Sequence, residues 1–168
     1  GQRPARHIGW LEVEPAQINR EDTITAPLQL LTVATGGALV PVEGSQTEFT
    51  PLLQSTADSA LVPSERFTKL QDPEELLQGF APDAETYTLA ARLSGPAATA
   101  FPDGLEGREA GLQEADNINV VVVADTDMLS DRMWVQVQDL FGQRISQPWA
   151  DNGGLLVNAL DNLSGSDA

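Results

Sequence analysis

The sequence predicts an α/β fold in which a mixed, largely parallel sheet is flanked by helices. Its longest β-branched run, residues 118–124, is apolar on both faces, which is typical of a central strand covered by helices on each side. Two segments with apolar residues at helical spacing follow that run, at residues 130–141 and 151–165. Because 168 residues suffice for one hydrophobic core, we expect a single domain over residues 1–168.

Short strands are predicted before the central run. Each candidate is rich in apolar residues and is bounded by proline, glycine or polar residues. The ranges are 7–13, 28–34, 38–42, 48–55, 60–62 and 87–93. Pro51 lacks a backbone donor and therefore indicates an edge position or a bulge in its strand.

Four helices are predicted in total. Ser64 caps a short helix through Leu70, and Asp72 begins a second one that ends near Gly79. The third runs from Ser130 to Phe141 and should face the sheet. Its apolar residues are Leu129, Met133, Val137 and Leu140. The fourth begins at Asp151 or Asn152, and its predicted apolar side carries Leu156, Ala159, Leu160 and Leu163.

A long connection precedes the central run. Residues 95–117 are rich in glycine, proline, alanine and glutamate, and a loop of this length is unusual in a compact domain. We therefore predict a mobile loop over this range.

Composition excludes several functional classes. The chain has 25 acidic and 9 basic residues and a formal net charge of −16, so its field repels phosphate backbones, and nucleic acid is a poor partner. It has no cysteine and one histidine, which excludes thiolate chemistry and the usual Ser-His-Asp triad. We expect any membrane contact to be made by segments absent from this chain, because no apolar run is long enough to span a bilayer.

The most suggestive local pattern is a group of carboxylates after the central run. Asp125 and Asp127 follow Val-Val-Val-Val-Ala, and Asp131 adds a third carboxylate. Ligands of α/β sheets usually bind at the carboxyl ends of strands, and oxygen ligands suit Mg²⁺ or Ca²⁺. The pattern partly resembles the phosphotransferase motif of haloacid-dehalogenase-like enzymes, in which the first Asp is the nucleophile and the second handles the leaving-group proton. Leu129 stands where that motif has Thr.

A structural role explains the same carboxylates more simply. Asp125 and Asp127 would accept hydrogen bonds from backbone N–H groups in a turn and complement the positive end of the following helix. We favour this interpretation over a metal or catalytic site because short Asp pairs after strands are common.

Two further features have alternative interpretations. The sequence Asn152-Gly153-Gly154 would offer free backbone N–H groups to an anion, but helix capping is the simpler explanation. The three tryptophans fit core or rim packing better than a sugar-binding platform. They are Trp10, Trp134 and Trp149.

Five segments of the chain together resemble one protein family. The clearest patterns are Asn-Ile-Asn-Val-Val-Val-Val-Ala-Asp-Thr-Asp-Met-Leu-Ser-Asp-Arg-Met-Trp-Val at residues 117–135 and Ala-Asp-Asn-Gly-Gly-Leu-Leu at the start of residues 150–166. Residues 18–28, 49–55 and 87–95 agree in order. On these residues the chain resembles the ABC-type uncharacterised transport system family, which includes gliding-motility-associated auxiliary components.

This resemblance implies a fold, a location and partners. It implies a Rossmann-like architecture related to glutamine-amidotransferase-like domains, in an extracytoplasmic, periplasmic region anchored to the inner membrane and working beside an ABC permease and ATPase. This chain would be the carboxyl-terminal part of that region. The resemblance implies no catalytic residue, and a chain without cysteine lacks the nucleophile of true amidotransferases.

We therefore expect a non-catalytic auxiliary or interaction domain that needs no cofactor and contacts ABC permease and ATPase subunits and envelope proteins. Two alternatives stay open. One is a Mg²⁺-dependent phosphohydrolase that uses Asp125 and Asp127, with Asp131 as a further ligand. The other is a domain that binds a small ligand or a glycan, which predicts a concave pocket lined by tryptophan and acidic groups.

Overall fold

The computed structural model describes residues 7–68, 72–109, 111–140 and 142–165. The strands are β1 (Trp10–Val13), β2 (Leu31–Ala34), β3 (Glu48–Gln54), β4 (Thr88–Ala98), β5 (Glu114–Val123), β6 (Val135–Leu140) and β7 (Gln143–Pro148). The α-helices are α1 (Glu65–Thr68), α2 (Asp131–Trp134) and α3 (Asn152–Leu163). Short 3₁₀ turns span Pro15–Gln17 and Pro73–Leu77.

The predicted largely parallel sheet is wrong. The strands form three small sheets, with the orders β1-β2, β3-β4-β5 and β6-β7, and every strand pairing among the described residues is antiparallel. Antiparallel neighbours need no crossover helix, whereas parallel neighbours usually have one. The fold is therefore neither Rossmann-like nor glutamine-amidotransferase-like in its described part.

The predicted central strand lies at a sheet edge. β5 pairs only with β4 within its sheet, and Val120 is 41% exposed. One face of β5 carries Val121 and Val123, which pack against the main core. The β-branched run reflects strand propensity on both faces, but only one face is covered by core residues.

Residues 130–141 do not form the predicted long helix. The helix α2 is a single turn, and the chain then enters the β6-β7 hairpin, in which Val135 pairs with Pro148 and Leu140 with Gln143. The alternation Val-Gln-Val-Gln at residues 135–138 has the period of a strand, and Gly142 adopts the left-handed φ of +81° that the turn requires. The period of two prevails over the helical spacing that Met133 and Val137 suggested. The end of that prediction at Phe141 lies outside the described residues.

Several other predictions are corrected in part. β4 extends to Ala98 and β5 begins at Glu114, so both ends of the predicted loop 95–117 are strand, and its mobility stays a prediction. The predicted strand at 38–42 is reduced to an isolated bridge between Leu39 and Thr88. The helix predicted from Ser64 is the single turn α1, and the helix predicted from Asp72 is the 3₁₀ turn Pro73–Leu77. Neither segment is long enough to sustain a longer helix. The predicted end of the first at Leu70 lies outside the described residues.

The core lies between the β3-β4-β5 sheet, the β1-β2 pair and α3. Its fully buried members include Ile24, Leu31, Leu52, Leu53 and Ala90. The fourth predicted helix is confirmed, since α3 spans Asn152–Leu163 and is followed by Gly165 at a φ of +78°. No helix in the described ranges is long and apolar enough to span a membrane.

Candidate functional site

The carboxylate of Asp125 is occupied by backbone groups. Its Oδ2 accepts a hydrogen bond of 2.6 Å from the Ala34 N–H on β2, and its Oδ1 accepts one of 2.7 Å from the Asp127 N–H. The first bond joins the end of β5 to β2, and the second closes an Asx turn. Both oxygens therefore stabilise the local backbone.

Asp127 and Asp131 lie at the surface beside that turn. Asp127 faces Arg132 at 3.5 Å, and both side chains are about half exposed, so this ion pair contributes little to stability. Asp131 is exposed in the first turn of α2. Within the described ranges, no group of three His, Cys, Asp or Glu residues is placed to hold a metal ion. A metal or catalytic role for Asp125, Asp127 and Asp131 stays a prediction.

Asn152, at the start of α3, completes the edge of β2 with its side-chain amide. Its Nδ2 donates to the Thr32 and Met128 carbonyl oxygens at 2.8 and 2.7 Å, and its Oδ1 accepts from the Thr32 N–H at 3.0 Å. The side chain is fully buried, so these bonds form without competition from water. The amide thereby substitutes for a neighbouring strand at Thr32.

The residues around Asn152 extend this contact. Asp151 flanks α3 as its N-cap residue, but its carboxylate accepts from the Gln29 and Leu30 N–H groups instead of capping the helix. Gly153 lies against the Trp134 ring so closely that a Cβ there would come within 2.6 Å of it. The glycine is therefore required for close packing, and the predicted side-chain cap is absent from α3.

Arg92, on β4, joins four parts of the chain. It forms a two-pronged ion pair with Asp22, with Nε at 2.6 Å and Nη2 at 2.9 Å from the two carboxylate oxygens. Its Nη1 donates to the Oδ1 atoms of Asn119 on β5 and Asn162 on α3, at 2.6 and 3.1 Å. The planar guanidinium thus uses three nitrogens at once.

The ion pair changes the acid–base behaviour of its members. Partial burial alone would raise the pKa of Asp22, but the hydrogen bonds from Arg92 and the Ile24 N–H, with the Arg92 charge, outweigh it and lower that pKa. The hydrogen bond to Asp22 raises the pKa of Arg92 in turn. Both groups are therefore charged at neutral pH.

Sequence reasoning missed Arg92, Asp22 and the role of Asn152. All three lie in the segments that carry the family resemblance, which is the one signal that pointed to them. Several of their partners are 70 to 120 residues away along the chain, namely Asp22 and Asn162 for Arg92 and Thr32 for Asn152. Such partners leave no local pattern.

The tryptophans divide into two groups. Trp134 packs on Gly153. Trp10 and Trp149 are 49% and 44% exposed and line a concave cavity of about 300 Å³. Its other lining residues are Leu11, Glu12, Thr32 and Met133.

The outer face of α3 is apolar. Its buried residues are Asn152, Leu155 and Ala159, whereas Val157 and Leu160 are 55% and 59% exposed. Leu156 and Leu163 are also exposed, so of the predicted apolar side only Ala159 is buried. By helical geometry the four exposed side chains occupy about a third of the circumference.

Comparison with known proteins gives one clear result. The family model described as ABC-type uncharacterized transport system matches residues 1–159, which include β1 to β7 and most of α3. Neither a curated protein nor a solved structure matches the chain. The match covers Asp22, Arg92, Asp125 and Asn152, with all of the partners described above except Asn162. This chain therefore belongs to the ABC-type uncharacterized transport system family.

Proposed function

We propose that this chain is a non-catalytic interaction domain of an ABC-type transport system. It acts by binding other proteins of that system, namely the permease or ATPase subunits or envelope proteins that work with them. Membership of the family supports an auxiliary role in transport.

The observation that carries the proposal is the exposed apolar face of α3. A surface helix normally turns charged or polar residues outward, but α3 exposes four apolar residues beside Asp161, namely Leu156, Val157, Leu160 and Leu163. Adjacent apolar side chains on one helix face are typical of protein–protein contacts. Their exposed fractions lie between 42% and 59%, so the described residues leave much of this face uncovered.

The hydrogen bonds of three buried or partly buried polar side chains support a binding role. The side chains of Asp125, Asn152 and Arg92 each form hydrogen bonds with distant parts of the same chain. They hold α3, β2 and β5 in fixed positions, which presents the outer face of α3 on a rigid support. A preorganised surface lowers the entropic cost of association.

The test is site-specific photocrosslinking in the full-length protein in its native cells. A photoreactive residue at Leu160 should crosslink to a permease or ATPase subunit of the transport system, identified by mass spectrometry. The matched control is the same residue at Glu43, which is exposed on a loop outside α3. Equal crosslinking at both positions, or none to any transport component from Leu160, would contradict the proposal.

A second measurement separates binding from folding. Val157→Asp and Leu160→Asp should weaken co-purification with the crosslinked subunit about tenfold or more, because each places a charge in an apolar contact. Their thermal unfolding midpoints should stay near that of the wild type, since both positions are exposed. Unchanged co-purification would show that another surface makes the contact.

The proposal includes an extracytoplasmic, periplasmic location and an inner-membrane anchor in the full-length protein. The support is the family to which the chain belongs and its resemblance to the auxiliary components within it. Reporters fused directly after Ala168 in the full-length protein test the location of this domain. Alkaline phosphatase should be active and green fluorescent protein dark, and the reverse pattern would place the domain in the cytoplasm.

A further inference from the structure

The cavity between the β1-β2 pair and the α2 region has an unusual set of walls. Trp10, Leu11 and Glu12 come from β1, Thr32 from β2, Met133 from α2, and Trp149 follows β7. Its volume of about 300 Å³ lies at the lower end of the range for ligand pockets. The cavity therefore suits a small ligand or a single side chain.

The walls are held by hydrogen bonds that leave few polar groups free. The Thr32 hydroxyl donates to the Met133 carbonyl at 2.6 Å, and the backbone N–H of Trp149 donates to the Trp134 carbonyl at 2.9 Å. Both contacts tie β2 and the chain after β7 to the α2 turn. The Thr32 hydroxyl is thus committed to the fold and is not available as a donor to a ligand.

Glu12 is the acidic residue that lines the cavity. Its side chain is exposed, and it makes no hydrogen bond or ion pair with any residue in the described ranges. The cavity is therefore lined by a free carboxylate and two partly exposed indoles, with no Lys, Arg or His among its lining residues, although the His7 ring lies 6.0 Å from that of Trp10.

These groups favour a cation over a neutral ligand. Indole is the strongest cation-binding aromatic ring, and a nearby carboxylate adds a direct charge interaction. The net charge of −16 raises the concentration of cations at the surface as a whole. A sugar would also stack on tryptophan, but it needs several donors and acceptors, and the side chains here offer one carboxylate and two indole N–H groups.

We propose that this cavity binds an organic cation, an alkylated ammonium or guanidinium group, between Trp10, Trp149 and Glu12. The cation is either a free small molecule or the side chain of a basic residue on a partner. The proposal does not rest on the interaction role of α3, since it uses different residues and a different chemistry.

Calorimetric titration of the chain tests the proposal. Choline represents the free ammonium, Nα-acetyl-arginine amide represents the basic side chain, and 3,3-dimethylbutan-1-ol is the neutral isostere of choline. At least one cation should bind about tenfold tighter than the neutral isostere, which is the range of a desolvated cation–π contact. Tighter binding of choline identifies a small-molecule site, and tighter binding of the arginine derivative identifies a side-chain site.

Variants connect the binding to the cavity. Glu12→Gln and Trp149→Leu should each weaken binding of the preferred cation about fivefold or more, whereas Glu14→Gln, an exposed carboxylate outside the cavity, should not. Thermal unfolding of each variant checks that it is folded. Failure of both cations to bind more tightly than the neutral isostere, binding of glucose in place of both cations, or full affinity in a folded Glu12→Gln variant would overturn the proposal.

Discussion

The two sides of α3 differ in how they distribute polar and apolar residues. The side that faces the rest of the domain contains Asn152, Asn158 and Asn162, which donate to or accept from β2, the Ile24 carbonyl and Arg92. The side that faces outward contains Leu156, Val157, Leu160 and Leu163. The inner side therefore combines these asparagines with the buried Leu155 and Ala159, whereas the outer side is largely apolar.

This difference teaches how α3 is positioned. Apolar burial by Leu155 and Ala159 drives the helix onto the core, but it is non-directional. The asparagine amides have fixed donors and acceptors, so they determine the rotation and register of the helix against β2 and β4. The outer, apolar side makes none of these hydrogen bonds, so its side chains are available to contact another protein.

The largest expected effect follows from removing the Asn152 amide. Asn152→Ala leaves the Thr32 N–H, the Thr32 carbonyl and the Met128 carbonyl without their partner in a fully buried place. We expect a loss of about 3–4 kcal/mol in the free energy of unfolding. Urea denaturation measures it, and a loss below about 1 kcal/mol would mean that the amide does not position the helix.

The Arg92–Asp22 pair should give the next largest effect. Asp22→Asn leaves the partly buried guanidinium without its counter-charge, and we expect a loss of about 2–3 kcal/mol at pH 7. Because folding lowers the pKa of Asp22, its contribution is present above the ordinary value of 3.8 and is lost as the pH falls through the lower folded value.

Urea denaturation of both proteins at several pH values tests this prediction. The difference in stability between the wild type and Asp22→Asn should be constant near neutral pH and should shrink as the pH falls below 3.8. If the stability difference between the two proteins stayed constant down to pH 2, the Arg92–Asp22 pair would not contribute to the loss of stability in acid.

Asp125 holds the same edge of β2 as Asn152, but from a partly exposed position. Asp125→Asn places an amide N–H₂ opposite a backbone N–H, and we expect a loss of about 1–2 kcal/mol. The exposed Asp131→Asn is the matched control and should change the stability by less than about 0.5 kcal/mol.

Comparison of Asp125→Asn with the wild type also tests the hypothesis of a metal site at Asp125. With both oxygens of Asp125 engaged by backbone N–H groups, Mg²⁺ and Ca²⁺ should shift the thermal midpoints of the wild type and Asp125→Asn equally. A rise seen only in the wild type would instead support a cation site at Asp125.

The smallest effect is expected on the outer side of α3. Val157→Gln and Leu160→Gln should change the free energy of unfolding by less than about 0.5 kcal/mol, because both side chains are already exposed. Leu155→Ala on the inner side should cost about 2–4 kcal/mol in the same assay. Similar losses of stability from the inner and outer substitutions would show that the two sides of α3 contribute equally to folding.

The fold was only partly predictable. β3 and α3 were found because each has a local pattern, namely a strand with a proline at its bulge and a helix that ends near a glycine. The β6-β7 hairpin was missed because Met133, Val137 and Leu140 also fit a helical spacing. Where two periods fit the same residues, tertiary contacts decide between them.

The candidate site was predictable to a smaller extent. The structural interpretation of Asp125 was the favoured one, and the turn bond to Asp127 is of the kind expected, but the bond to β2 was not foreseen. The pocket of Trp10 and Trp149 with Glu12 has the composition predicted for a ligand-binding domain, although its position depends on three separate elements.

The sequence by itself determined the family, the acidic character of the chain and the elements with strong local signals, because these properties reside in consecutive residues. Only the tertiary structure decided which strands pair, which side of α3 is buried and which carboxylate is free. Those outcomes depend on partners up to 139 residues apart, such as Asn162 and Thr23. A hydrogen bond across that distance leaves no periodic trace in the sequence, so its geometry is set only when the chain folds.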